Sequence, residues 1–340
     1  MLGVIRRLRN LGVLGINQRN SDYVLALNPR RLFPLVDDKL RTKELAIEAG
    51  MAVPELYGVV RTQHDIRRLK DIIGEHKKFV IKPAHGSGGD GILVINGRPG
   101  ERFRKIDGQI VRIEELNHHI SNTLNGQYSL GGAPDCAMIE YCVQFDPVFQ
   151  AVSYQGVPDV RIIVLKGIPV MAMVRLPTRM SGGKANLHQG AVGAGVDIRT
   201  GRTLGGVLGN YTIGEHPDTG NPISGIVIPG WEQMLNLAAR CFELTDLGYL
   251  GVDIVLDRDL GPLILELNAR PGLNIQIANH CGLANRLAEA DRYALGASVA
   301  ERIQFAKERF GVEGTPAAGD SGEAKSGLHS TDIAGAPGTL

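Results

Sequence analysis

From Asp37 onward the apolar positions fall into repeating patterns that predict a string of helices and short strands. Leu40, Leu45, Ile47 and Ala49 carry the helical spacing and predict a helix over 39–49, stopped by Gly50. Pro54 then forces Val53 into an extended conformation. A second helix is expected over 66–73, ending at Gly74. Two β-branched runs, 79–82 and 92–95, flank a glycine-rich turn and predict a long-loop hairpin. A helix at 113–124 interrupts an otherwise glycine-rich excursion over 96–135.

Further along, 137–143 and 160–165 read as strands, and 170–175 pairs with the latter across a turn at 167–169. The stretch 182–209 is rich in glycine and reads as an extended loop region. Residues 231–244 form an amphipathic helix, strands follow at 251–256 and 263–267, and 283–310 is mostly helical. Beyond Gly311 the chain turns to Gly, Ala, Ser, Thr and Pro without periodicity, which predicts a disordered tail over 313–340. Strands and helices without a strict βαβ rhythm point to α+β lobes rather than a doubly wound sheet.

Composition changes this picture little. With 340 residues, 43% hydrophobic and 21% charged, the chain can fill two or three lobes of a soluble globular protein. Cys136, Cys142, Cys241 and Cys281 show no CxxC pairing, so inert thiols in a reducing cytoplasm are expected. The start, MLGVIRRLRNLGVLGI, is broken by Arg6, Arg7 and Arg9. It lacks the roughly 20 apolar residues of a membrane span and the layout of a secretory signal. No specific nucleic-acid motif is found, and self-association is left open. The net charge of +1 conceals a basic start, with nine Lys/Arg against three Asp/Glu in residues 1–43. Such a segment suits an anionic partner or lipid headgroups, or is simply the solvated face of a short helix.

Two segments carry candidate chemistry. In FVIKPAHGSGGDGI, 79–92, a strand delivers Lys82 and Pro83 ends it. Gly86, Ser87, Gly88, Gly89 and Gly91 follow as a loop whose N–H groups can approach phosphate oxygens closely. Lys82 would add a mobile positive charge for phosphates. The lysine precedes the glycines and no GK[ST] follows, so this is not a Walker A loop. A plain flexible turn remains open for this segment taken alone. In GVDIVLDRDLGPLILELNARPG, 251–272, Glu266 and Asn268 share one face of a strand, and a turn near 258–261 brings Asp253 beside them. Two carboxylates and an amide oxygen make a hard-oxygen site for Mg²⁺, with Mn²⁺ as the alternative.

DDKLRTKELAIEAGMAVP around Lys39, Lys82 with its glycine loop, IEY at 139–141, DVR at 159–161 and DIV…ELNARPG together resemble the ATP-grasp superfamily. Within it the chain looks most like the RimK-type α-L-glutamate ligases, whose RSNLHRGG segment is similar to SGGKANLHQGA at 181–191. The resemblance spans about 37–280 and implies an α+β fold in which two lobes clamp Mg-ATP. It implies an ATP-grasp domain over 38–312, with a lid lobe at about 75–142 and a metal-binding lobe at about 155–312, behind a basic segment 1–37.

The resemblance also assigns roles. Lys39 and Lys82 would be the nucleotide lysines, joined by Gly86, Ser87, Gly88 and Gly89 of the loop. Glu140 and Tyr141 match the hinge that meets adenine, Asp159 a residue at the nucleotide, and Lys184 and Asn186 the Arg and Asn of RSN. Arg161 and Arg175, fourteen residues apart, match arginines facing the transferring phosphate. Asp253, Glu266 and Asn268 match the metal ligands. Arg270 departs from the small residue that the family has there. On an extended chain it would point with Glu266 and Asn268, where its planar fork could read an anionic substrate group; a structural salt bridge holding the turn is the alternative.

Only 38 residues precede Lys39, where RimK-type enzymes have a complete pre-grasp domain, and the loop before IEY is longer. The ATP-grasp proteins found with sugar-transfer genes are similar in lacking a full pre-grasp domain. The activity implied is ATP-dependent joining of a small-molecule or peptide carboxylate to an amine through an acyl phosphate, with glutamate or another amino acid as a substrate. A phosphotransferase would make a phosphoester instead of an amide, and a non-catalytic ATP-binding module would not need an arginine at the transfer point.

Overall fold

The computed structural model describes residues 2–86, 88–293 and 296–312. Two mostly antiparallel sheets organise it. Residues 56–141 supply the first, from β1 (Leu56–Val60), β2 (Phe79–Pro83), β3 (Leu93–Gly97), β4 (Phe103–Lys105), β5 (Ile110–Val111) and β6 (Ala137–Tyr141). Its strand order is β1-β6-β2-β3-β4-β5. The hydrophobic residues of these short strands, Phe79, Ile81, Ile95 and Ile139 among them, meet Leu116 and Ile120 of the helix Ile113–Leu124 in one core. The lobe therefore starts at β1, ahead of the expected 75, because Leu56–Val60 pairs along β6.

The second sheet contains β7 (Asp159–Leu165), β8 (Ile168–Leu176), β9 (Val192–Val196), β10 (Thr203–Leu208), β11 (Tyr211–Ile213), β12 (Tyr249–Asp257) and β13 (Gly261–Asn268). Its order is β11-β10-β9-β8-β7-β12-β13. Helices Trp231–Thr245, Leu283–Tyr293 and Val299–Phe310 pack against it. Met234, Leu235, Ala238 and Cys241 recur at helical spacing and are buried, as the amphipathic pattern of 231–244 predicts.

Several expectations change. Residues 182–209 are not all loop, since β9 and β10 pair antiparallel within them. Two of the five residues of VGAGV are glycine, which weakens the usual strand signal, yet all five are buried. Gly195 is required there, because a Cβ would lie 2.4 Å from the Ala278 carbonyl oxygen of the segment packed over it. The β7–β8 turn is tighter than 167–169: Ile168 pairs with Leu165, leaving Lys166 and Gly167 at the tip with positive φ. The basic start does not stand apart either. Leu14, Val24 and Val36 enter the main core, and the Asn28 side chain bonds the backbone of Tyr249 and Ala269. The expected tail, 313–340, lies outside the described residues. No helix among the described residues is long and apolar enough to cross a membrane.

Candidate functional site

Strand register builds the centre of the site. Arg161 on β7 lies opposite Asp253 on β12, Asp253 opposite Glu266 on β13, and Asp159 opposite Arg175 on β8. Directly opposed residues share a face, and residues two apart on one strand do as well. Arg175, Asp159, Arg161, Asp253, Glu266 and Asn268 therefore form one charged band across four strands.

The band is knit together internally. Arg161 donates to both oxygens of Asp253, at 2.7 and 2.5 Å, and Arg175 donates to both oxygens of Asp159, each at 2.5 Å. Arg175 also reaches Asp253 at 2.8 Å, and the Asn268 amide donates to Asp253 at 3.2 Å. Burial would raise the pKa of Asp253, but the charges of Arg161 and Arg175 outweigh it and hold the carboxyl low. Asp159 has one close arginine and a neighbouring carboxylate, so burial wins and its pKa rises. The two arginines, expected to face a transferring phosphate, are each paired with aspartates in this structure. Asp253 is likewise engaged by cations, whereas Glu266 stays open: its side chain is 32% exposed and Lys39 Nζ is 3.6 Å away.

Lys39, on the helix ahead of the first sheet, faces this band. Asp38 caps the helix Lys39–Glu48 by accepting from the N–H groups of Leu40 and Arg41, which sets Lys39 at its first turn. Lys39 Nζ donates to the Gly86 carbonyl at 2.5 Å while facing Glu266, so one side chain spans the glycine-rich loop and the second sheet. Gly88, Gly89 and Gly91 all have positive φ, which L side chains adopt rarely. Ser87 lies outside the described residues. Lys184 Nζ meets Asp90 of the loop at 3.2 Å, and a Cβ on Gly88 would sit 3.9 Å from the Asn186 amide. The 184–189 segment thus closes on the glycine-rich loop from the second lobe.

Glu140 does not present its carboxylate to the cleft as a free hinge group. It is 3% exposed and takes Lys82 at 2.5 Å and Lys43 at 2.7 Å. Val80 is opposite Glu140 in the sheet, so Lys82, two residues on, shares its face. Burial alone would raise the Glu140 pKa, and the two lysines reverse this. Lys43 also donates to the Pro54 carbonyl. It was not among the expected residues, though its position one helical turn past Lys39 in DKLRTK was a usable signal.

Tyr141 follows at the end of β6. Its N–H donates to the Glu55 carbonyl at 2.8 Å, and burial together with a hydrogen bond to Asp257 pushes its phenol up to about 12. Asp257 also accepts from the N–H groups of Gln144, Asp259 and Leu260, docking the segment after β6 on the β12–β13 turn. His85, beside the loop, has Nδ1 2.8 Å from buried Asp135. Nothing in the sequence around Asp135 had marked it.

Arg270 is redirected. β13 ends at Asn268, so the alternation that would aim Arg270 with Glu266 is lost. Its guanidinium stands 5.2 Å over the Phe33 ring and 3.6 Å from Asp37, both on the N-terminal segment, with an exposed side chain. Arg19 donates to the Pro271 carbonyl at 2.9 Å and holds the same turn. These contacts correspond to the structural alternative for Arg270.

Residues 18–292 match the family described as sugar-transfer associated ATP-grasp. No curated protein matches the chain. Among solved structures, the ATP-grasp ligase PsnB complexed with minimal precursor is similar at 18% identity and a TM-score of 0.39, covering 77% of this chain and 61% of that one. D-alanine–D-alanine ligase from Bacillus anthracis complexed with ATP is similar at 15% identity and a TM-score of 0.41, covering 82% and 69%. D-cycloserine synthetase DcsG is similar at 16% identity and a TM-score of 0.41, covering 77% and 73%. The chain spans about three fifths of the PsnB structures it matches.

Proposed function

Because the chain belongs to the sugar-transfer associated ATP-grasp family, we propose that it is an ATP-dependent ligase joining a carboxylate to an amine through an acyl phosphate. The observation that carries this reading is Lys39. Its ammonium bridges the Gly86 carbonyl of the glycine-rich loop and the Glu266 carboxylate of the opposite sheet. Phosphates entering between loop and sheet would meet that ammonium, the loop N–H groups and Lys82.

The donor set fits Mg²⁺. Glu266 has oxygens open to a further partner, and the Asn268 side chain stands two residues on along the same face. Asp253 would join them by giving up part of its hold on Arg161 and Arg175. When bound, the ion would neutralise charge on the transferring phosphate. Arg161 and Arg175, freed in the same measure, would turn toward that phosphate, and Asp159 would keep Arg175 oriented. With the Tyr141 N–H committed to Glu55, adenine would be met by hinge groups beyond it. Closure of the glycine-rich loop against Lys184 and Asn186 would keep water from the acyl phosphate.

Glutamate, which the RimK-type resemblance implies, or another amino acid is proposed as the group added to an amine acceptor. The test incubates the protein with Mg-ATP and a panel of amino acids, small peptides and sugar acids. ADP and phosphate should appear in equal amounts together with a condensation product seen by mass spectrometry. A phosphoester without free phosphate would replace the ligase by a phosphotransferase, and ATP binding without turnover on any pair would leave a binding module.

A further inference from the structure

We propose that the outer face of the first lobe carries a second binding site, for the phosphate group of a small sugar phosphate. A cavity of about 330 Å³ opens there between the helix Leu69–Ile73, the β3–β4 connection and the start of the helix Ile113–Leu124. It lies toward the β4–β5 edge of the sheet and shares no residue with the charged band or with Lys43, Lys82 and Glu140. Phe103 and Ile73, both buried, form its floor. Arg98 is fixed on that floor, its guanidinium 5.5 Å over the Phe103 ring and bonded to the Gly74 carbonyl.

Lys70, Arg102 and Arg112 complete a ring of four cations around the opening. The ion pairs nearby in sequence join other residues, Arg61 with Glu44 and Lys105 with Asp107. Among the described residues, none of the four side-chain cations is in an ion pair with a carboxylate, although the Arg112 backbone N–H donates to Glu115 at 2.8 Å. Four unpaired cations around one hollow repel each other, and a bound anion would relieve that repulsion.

The cavity also says which anion. Glu101 and Glu114 stand on the same rim, so four cations face two carboxylates and leave a surplus of two positive charges. A phosphate monoester carries about −1.5 to −2 at pH 7 and balances it. A bare polyanion would meet the two carboxylates at a cost, whereas sugar hydroxyls would donate to them. The volume lies at the lower end of small-molecule sites, roughly 300–1,000 Å³, which suits a monosaccharide phosphate.

Calorimetry with ribose 5-phosphate, inorganic phosphate and ribose tests this on the full chain. Ribose 5-phosphate should bind at one site per chain, more tightly than inorganic phosphate, and ribose should not bind. Arg102→Glu with Arg112→Glu should weaken ribose 5-phosphate by about tenfold or more while leaving the melting temperature unchanged, since both side chains are exposed. Glu101→Gln with Glu114→Gln should bring it down to the affinity of phosphate. Lys82→Ala should leave it untouched, because that residue belongs to the other cleft. Three results would overturn the proposal: no binding at millimolar concentration, full affinity in the Arg102/Arg112 variant, or loss of binding in Lys82→Ala. Inorganic phosphate binding as tightly as ribose 5-phosphate would remove the sugar from it.

Discussion

Lys43 offers a direct reading of the charge balance behind the glycine-rich loop. Two lysines share the buried Glu140, at 2.7 and 2.5 Å, so the triad carries one surplus positive charge. Burial lowers the Lys43 pKa to about 8, with Glu140 opposing the drop and Lys82 adding to it. A fall from the ordinary 10.5 to about 8 corresponds to about 3 kcal/mol at roughly 1.4 kcal/mol per pH unit. Below pH 8 the amine is charged in both the folded and the unfolded chain, and folding bears that full cost. Between about 8 and 10.5 the unfolded chain holds a proton that the folded one has released, so stability rises with pH. Lys43→Met removes the group and with it this rise. Urea unfolding of both proteins, followed by far-UV circular dichroism at pH 7 and 9.5, measures the difference. The native protein should gain about 2 kcal/mol relative to the variant across that interval. A difference that stays flat with pH would mean that Lys43 keeps its proton, and the surplus-charge reasoning would be wrong.

Other outcomes follow from the same geometry. Lys82→Ala should weaken Mg-ATP binding by roughly 1.5–3 kcal/mol, the worth of a charge-assisted contact; a calorimetric affinity unchanged within error would make the glycine-rich loop a mere turn. Glu266→Gln should abolish turnover with the melting temperature nearly unchanged, because its ion pair with Lys39 is long and partly exposed to solvent. Normal turnover would remove Glu266 from the metal site. Arg270→Ala should shift stability by no more than about 1 kcal/mol and leave substrate KM alone, since its partner Asp37 is exposed; a KM change confined to one substrate would restore it as a reader of that substrate. Asp257→Asn should bring the Tyr141 phenol down from about 12 in an ultraviolet titration, because the carboxylate is one cause of the rise. A phenol that does not move would leave burial as its whole cause.

The parts of the fold that were legible are those in which local pattern and tertiary packing ask for the same residues. The helix Ile113–Leu124 is found at its expected bounds, since Leu116, Ile120 and Leu124 sit at helical spacing and also face the core. β9 and β10 were illegible for the opposite reason. Their glycines serve close packing, Gly195 against the Ala278 carbonyl above all, and a strand chosen for thinness looks like a loop. The anchoring of the N-terminal segment was hard to see because its charge dominates its composition, while a few residues, Leu14, Val24 and Asn28, hold it to the core.

For the site, period-two alternation could place Glu266 beside Asn268, but it could not say which strands lie next to one another. The order β8-β7-β12-β13 is what brings Arg175, Asp159, Arg161 and Asp253 into one band. Once they are neighbours, the electrostatics follow from position. Asp253 stands between two arginines and stays ionised, and Asp159 shares one arginine with it and is harder to ionise. Each arginine is thus held by groups that a bound cation would compete for. Glu266, outside these pairs, is the carboxylate of the band that can accept a cation without first losing a partner at hydrogen-bonding distance. That order of availability could not be read from the spacing of DIV…ELNARPG, because it depends on residues that lie 92 and 78 positions away from Asp253 in the chain.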